Sequence, residues 1–176
     1  MKKLIVALLL TVAHTAYPQH QDAAISQINQ DVWVPFIEAL GNADIEAYLA
    51  VHHPSAIRIS LDRNGIFQQG EAYFGQLRNL FGKIRQSEGR QQIQFRFSER
   101  IFSDKVASEK GYYKYVYEAK STAASPYAAK IIYGSFHVIS QKDENGRWKI
   151  LLDFDYTNQE QKYNVTEKEF LAAMPL

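Results

Sequence analysis

Two carboxylates, Asp153 and Asp155, sit on a run of otherwise apolar and aromatic residues, Arg147-Trp-Lys-Ile-Leu-Leu-Asp-Phe-Asp155. Residues two apart on a strand share a face, so both acids point the same way, with Lys149 and Leu151, while Trp148, Ile150, Leu152 and Phe154 point the other way. Neighbouring carboxylates in a poorly solvated site repel, which raises the pKa of one and lets it act as an acid while the other stays ionised. Three readings of the pair are open: a ligand or catalytic role, a structural ion-pair network, or a strand end emerging into water. His52 and His53 end a helical stretch, and with Asp62 or an acid of the last strand they would offer metal donors. Adjacent helical residues diverge, so the pair makes a poor chelate, and a His favoured by the helix dipole is the simpler reading; no metal is expected. His137 alternates away from Phe136 and Val138, toward the outside of its strand with Tyr133 and Ser135. Tyr113, Tyr115 and Tyr117 form a stripe whose phenols need partners if buried, as core, dimer interface or ligand wall.

The elements that must position these residues follow from periodicity. Gly134 to Lys142 and Arg147 to Asp155, joined by a polar segment ending in Asn145-Gly146, predict a β-hairpin. Ile25, Ile28, Val32, Phe36, Ala39 and Leu40 form a helical stripe, with Pro35 either kinking the helix or starting its second half. Gly41-Asn-Ala-Asp44 ends that helix and caps a second, which buries Ile45, Tyr48, Leu49 and His52. Strands are expected over 56–61 and 66–68 around an Asp62-Arg-Asn-Gly65 turn. A third helix after Gly70 carries Tyr73, Phe74, Leu77, Leu80, Phe81 and Ile84 on its apolar side. Long strands follow over 92–102, 110–120, 130–142 and 147–155, and Thr166-Glu-Lys-Glu169 has capping-box spacing for a short helix in the tail. Helices in front and a strand meander behind indicate an α+β domain with helices on one sheet face.

The first 19 residues have the form of a cleaved export signal: Lys2 and Lys3, an apolar run from Leu4 to Val12, then small residues, with cleavage after Thr15, Ala16 or Gln19. The run is too short to anchor in a bilayer, so no membrane association is expected after cleavage, and a periplasmic or secreted bacterial location is. The mature domain covers 20–160 and the tail 161–176. Losing Lys2 and Lys3 takes the charge from +1 to −1, and no basic cluster points to nucleic acid. With no cysteine in the chain, disulfides, a thiol nucleophile and thiolate metal sites are excluded. No nucleophile elbow, phosphate loop or dinucleotide fingerprint is present, so no cofactor is expected.

This element order, with Phe36-Ile-Glu-Ala-Leu-Gly-Asn-Ala-Asp44, the Gly70 helix entry, Gly134-Ser-Phe-His-Val138 and Gly146-Arg-Trp-Lys-Ile150, resembles the nuclear transport factor 2-like superfamily, and within it the exported SnoaL-type and ketosteroid isomerase-like proteins. The resemblance covers 25–158. It implies a cone, a strongly curved and mostly antiparallel sheet wrapped around three helices, with a pocket at its open end and a homodimer formed through the sheet. The tyrosine and two aspartates of a ketosteroid isomerase fall on Phe36, Ser60 and Gly134, which lack the required chemistry. The same comparison puts Leu151, Asp153, Asp155, Ser60 and, by alternation, Arg58 on the pocket side. The leading expectation is an exported protein binding a small, partly apolar molecule through Arg58, Ser60, Tyr113, Asp153 and Asp155. The alternatives are a lyase or isomerase using Asp153 or Asp155 as acid or base with Arg58 holding an anionic group, and an association module whose pocket is filled by its own side chains.

Overall fold

The computed structural model describes residues 16–62, 65–86, 89–118, 129–165 and 170–171. Of the signal-like residues 1–19, residues 1–15 lie outside the described residues and 16–19 open the first helix; the capping-box segment 166–169 also lies outside them. Helix α1 (Ala16–Ile28) continues through one π turn (Asn29–Trp33) into α2 (Val34–Gly41). Pro35 explains that turn: it has no N–H to give to the preceding ladder, so it sits in the first turn of α2, and the Val34 N–H bonds to the carbonyl of Asn29. Of the two readings of Pro35, the start of a second half is therefore the observed one, reached without breaking the helical rod. Helix α3 (Ile45–Ala50) begins on Asp44, whose Oδ1 accepts from the Ala47 N–H at 3.1 Å.

Strand β1 (His52–Ser60) starts four residues earlier than periodicity suggests, so His52 and His53 open a strand and do not end a helix. The cause is pairing: the Ile150 N–H donates to Val51 O at 2.9 Å and His52 lies opposite Ile150, while the segment around Pro54 loops out of the ladder. Strand β2 (Ile66–Gln69), helix α4 (Glu71–Gln86), β3 (Arg90–Phe102), β4 (Val106–Glu118), β5 (Ala129–Lys142) and β6 (Trp148–Thr157) follow, then α5 (Glu160–Val165) and the short β7 (Phe170–Leu171). The sheet order is β2-β1-β6-β5-β4-β3-β7, antiparallel throughout except for the parallel β1–β6 pair.

Two bulges shape this sheet and decide which side chains face inward. In β3, Ser98 is an extra residue between Phe97↔Gly111 and Glu99↔Lys110, so Phe97 and Arg100 both end up inside. In β6, Leu151 is the extra residue between Ile150↔Ser140 and Leu152↔Ile139. The expected strict alternation of β6 is thereby corrected: Trp148 and Ile150 share the buried face with Asp153 and Asp155, and Leu151 leaves the pocket side. Helix α4 buries Tyr73, Phe74, Leu77, Phe81 and Ile84 as its period requires, but Leu80 is 49% exposed. One core joins the helices to the sheet, centred on Trp33, whose indole packs against Phe95, Phe97 and Phe136 at 4.9, 5.1 and 5.4 Å.

A buried polar network lies in that core, around the edge of the Trp33 indole. Glu109 is fully buried and accepts from Arg100 Nε at 2.7 Å and from the Trp33 indole N–H at 3.0 Å, while Arg100 also donates to Asn29 Oδ1 at 2.7 Å. The network ties the π turn to the β3–β4 hairpin. On the opposite face of the sheet α5 places Tyr163 against Tyr133 and beneath the Arg96 guanidinium.

Candidate functional site

The open end of the cone encloses a cavity of about 630 Å³ between α2, α3 and α4 on one side and β1, β3, β4, β5 and β6 on the other. Its wall is mostly aromatic and aliphatic, including Trp33, Phe36, Tyr48, Leu77, Phe95, Tyr115, Phe136 and Ile150. The polar residues are gathered on the β1–β6 side. Arg58 pairs across the parallel ladder with Asp153, and Ser60 with Asp155, so one register brings all four residues to the same wall.

Arg58 bridges the two acids. Its Nη1 lies 2.6 Å from Asp153 Oδ2 and its Nη2 donates to Asp155 Oδ2 at 2.6 Å. Each carboxylate also accepts from a phenol, Asp153 from Tyr73 Oη at 3.2 Å and Asp155 from Tyr113 Oη at 3.1 Å. Both acids are 8% exposed. Of the remaining carboxylate oxygens, Asp155 Oδ1 is buried and has no hydrogen-bond partner among the described residues. A buried acceptor without a donor is costly, and such atoms cluster where a ligand or water completes the shell.

Tyr113 reaches Asp155 because of two glycines. Gly134 lies directly across the ladder from Tyr113, and a Cβ there would stand 2.2 Å from the Tyr113 Cζ. Gly111, two residues earlier on β4, plays the same part for Phe136, where a Cβ would also meet the Arg96 carbonyl at 2.1 Å. The phenol ring therefore lies flat over bare backbone and directs its hydroxyl at the acid.

The electrostatics separate the two charge types. Burial raises the Asp155 pKa, with the Arg58 charge and hydrogen bonding from the Arg58 and Ser60 side chains acting against it and Asp153 adding to it. Burial alone would lower Arg58, but Asp153 and Asp155 outweigh it and hold the guanidinium well above its ordinary value. Burial also raises the phenols of Tyr48, Tyr73 and Tyr113, keeping them protonated donors, and lifts Tyr115 to about 12. His52 is buried behind this wall with Nδ1 at 2.9 Å from Tyr48 O, and burial lowers its pKa so that it is neutral. An acid with a raised pKa beside a fixed cation and a phenol donor is equipped to give or take a proton, or to anchor a polar group.

The structure brings together all five residues read from the sequence: Arg58, Ser60, Tyr113, Asp153 and Asp155 line one cavity. Leu151 does not join them, and Ile150 stands in its place. Tyr73 was not foreseen as a polar contributor, since its spacing on α4 signals core and gives no hint that its hydroxyl reaches across to the sheet. Phe36 and Ser60, the positions on which the resemblance sets catalytic residues of the ketosteroid isomerases, both line the cavity. His137 faces outward and lies 3.0 Å from Ser108 Oγ, and no metal-binding cluster occurs among the described residues.

No protein-family model matches the sequence, and no curated protein matches it. Solved structures do share the fold. A ketosteroid isomerase-like protein from Erwinia carotovora atroseptica superposes with a TM-score of 0.56 at 14% identity, over 75% of this chain and 94% of that one. A candidate dehydratase of the nuclear transport factor 2-like family from Streptomyces avermitilis gives 0.60 at 11% identity, over 78% and 98%. A nuclear transport factor 2-like protein with a cystatin-like fold from Novosphingobium aromaticivorans gives 0.58 at 8% identity, over 85% and 91%.

Proposed function

We propose that this chain, which has the nuclear transport factor 2-like fold, is an exported protein that binds a small, largely apolar molecule in the cavity between α4 and the sheet. One observation carries the reading: a cavity of about 630 Å³, within the range of small-molecule sites, into which a buried Arg58-Asp153-Asp155 cluster converges with one carboxylate oxygen left unpartnered. An apolar wall supplies affinity and a few fixed polar groups supply orientation. The open volume weighs against a cone filled by its own side chains.

The test is thermal stabilisation. A ligand that binds only the folded state at a hundred times its Kd adds about 2.7 kcal/mol, roughly 5–11 °C for a domain of this size. A broad panel of apolar and amphipathic metabolites that leaves the melting temperature unchanged refutes the proposal.

A second reading, a lyase or isomerase with Asp155 as general acid or base, is favoured by the upward shift of that carboxyl in a water-poor site. It requires that Asp155→Asn abolish turnover of an identified substrate while the circular dichroism spectrum stays native. Retention of full turnover refutes the assignment of the role.

Export rests on the Lys2-Lys3 start and the apolar run to Val12. Expression in a bacterial host should yield a mature N-terminus at Ala16, Tyr17 or His20. Among the described residues no helix is long and apolar enough to cross a membrane. Homodimerisation through the sheet is supported by the outward, half-buried row Leu152, Phe154 and Tyr156 on β6 beside Ile57 and Ile59 on β1.

A further inference from the structure

The charge inside the cavity narrows the chemistry of its occupant. Asp153 and Asp155 face a single guanidinium, Arg58. The other titratable groups packed around them, the phenols of Tyr48, Tyr73 and Tyr113 and the imidazole of His52, are neutral. At the rim Asp62 and Lys83 carry opposite signs. With both acids ionised the interior is one positive charge short of balance; burial is the main reason the Asp155 carboxyl resists ionisation, with Arg58 working against it and Asp153 adding to it. Arg58 already has a carboxylate on each terminal nitrogen, so an entering anion would be a third negative group around one cation. Asp155 Oδ1 is a buried acceptor with no donor in hydrogen-bond geometry among the described residues; the Ser60 hydroxyl beside that carboxyl is neutral, so a charged donor is the better match for the atom. Around it stand the faces and edges of Trp33, Phe36, Phe95, Tyr113, Tyr115 and Phe136, a wall that attracts organic cations as well as apolar rings.

We propose that the cavity is built for a hydrophobic organic cation: an amine on an aromatic or cyclic apolar body, its ammonium donating to Asp155 Oδ1. This rests on the reading of the cavity as a ligand site and specifies what that site selects. The ammonium supplies the missing positive charge and the donor in one group, at the short distance of a charge-assisted hydrogen bond, while the body occupies the aromatic wall.

Three probes with one ring system and different charge test it by isothermal titration near neutral pH: tryptamine, the neutral alcohol tryptophol, and the anion indole-3-propionate. Tryptamine should bind about tenfold or more tighter than tryptophol, the size of one hydrogen bond to a charged group, with indole-3-propionate weakest. Asp155→Asn should erase the advantage of tryptamine while leaving tryptophol within a few-fold of wild type. The charge series on the wild-type protein decides the matter by itself if that variant fails to fold. Tryptophol binding as well as tryptamine, or indole-3-propionate binding tightest, overturns the cation proposal and leaves the cavity as a ligand site. No saturable binding by any of the three overturns both.

Discussion

Removing Arg100 tests the buried polar network that fixes the π turn to the sheet. In Arg100→Met the aliphatic stem is replaced by one of similar length, and the fully buried Glu109 loses a guanidinium that contacts it at 2.6 and 2.7 Å. Breaking a buried pair from one side costs about 3–5 kcal/mol, because the partner's charge stays buried without its counterion. For a domain of this size that is a fall of roughly 6–20 °C in melting temperature. The double variant Arg100→Met, Glu109→Leu removes both charges, and replacing a buried pair by apolar groups is often close to neutral. Urea unfolding of the wild type, both single variants and the double variant gives the coupling energy directly. The reasoning fails if Arg100→Met costs less than about 1 kcal/mol, or if the double variant is as unstable as the sum of the singles.

Three other perturbations follow from the same structure. Gly134→Ala should cost about 1–3 kcal/mol by driving the Tyr113 ring off its seat, whereas Gly111→Ala should cost more, because its Cβ meets the Arg96 backbone carbonyl and not only a side chain; chemical denaturation ranks the two. Since the Asp155 pKa is raised in the folded state, the stability this group contributes is complete below its unfolded value, about 3.9, and is lost as pH rises through the folded value. Asp155→Asn should therefore gain stability relative to wild type between pH 4 and 7 in thermal melts across that range, and a constant difference would contradict the shift. Phe154→Glu, on the outer face of β6, should convert the proposed dimer to a monomer by light scattering; a wild-type protein already monomeric removes that part of the account.

Local periodicity was enough to place the helices of the core, the long strands and the hairpin, because apolar spacing and the Asn145-Gly146 turn are local signals, but it gave no sign of α5 and ran the second helix on to His52. What it misses is register. The bulge at Leu151 leaves no mark in the residue types around it, yet it decides that Ile150 lines the cavity and Leu151 does not. In the same way the bulge at Ser98 turns Arg100 inward, and alternation from Phe97 would have left it outside. Glu109 was missed because the strand expected over 110–120 begins at Val106 in the structure; only that longer β4 gives Glu109 the inward parity of Gly111 and Tyr113. Arg58, Ser60, Asp153 and Asp155 came together as expected, because β1 and β6 pair regularly from Ile57↔Leu152 to Ser60↔Asp155, past the irregularity around Pro54. The two phenol donors differ in the same respect. The place of Tyr113 in the site follows from strand parity, whereas the contact from Tyr73 depends on how α4 crosses the sheet, which no local pattern encodes.

The most direct test of the cavity as a binding site uses a neutral apolar reporter, N-phenyl-1-naphthylamine, excited by energy transfer from Trp33, which borders the cavity. The account predicts saturable binding at one site per chain in the wild type and its loss in Leu77→Trp, which fills the cavity from α4. Absence of saturable binding to the wild type, or undiminished binding to a folded Leu77→Trp variant, contradicts it.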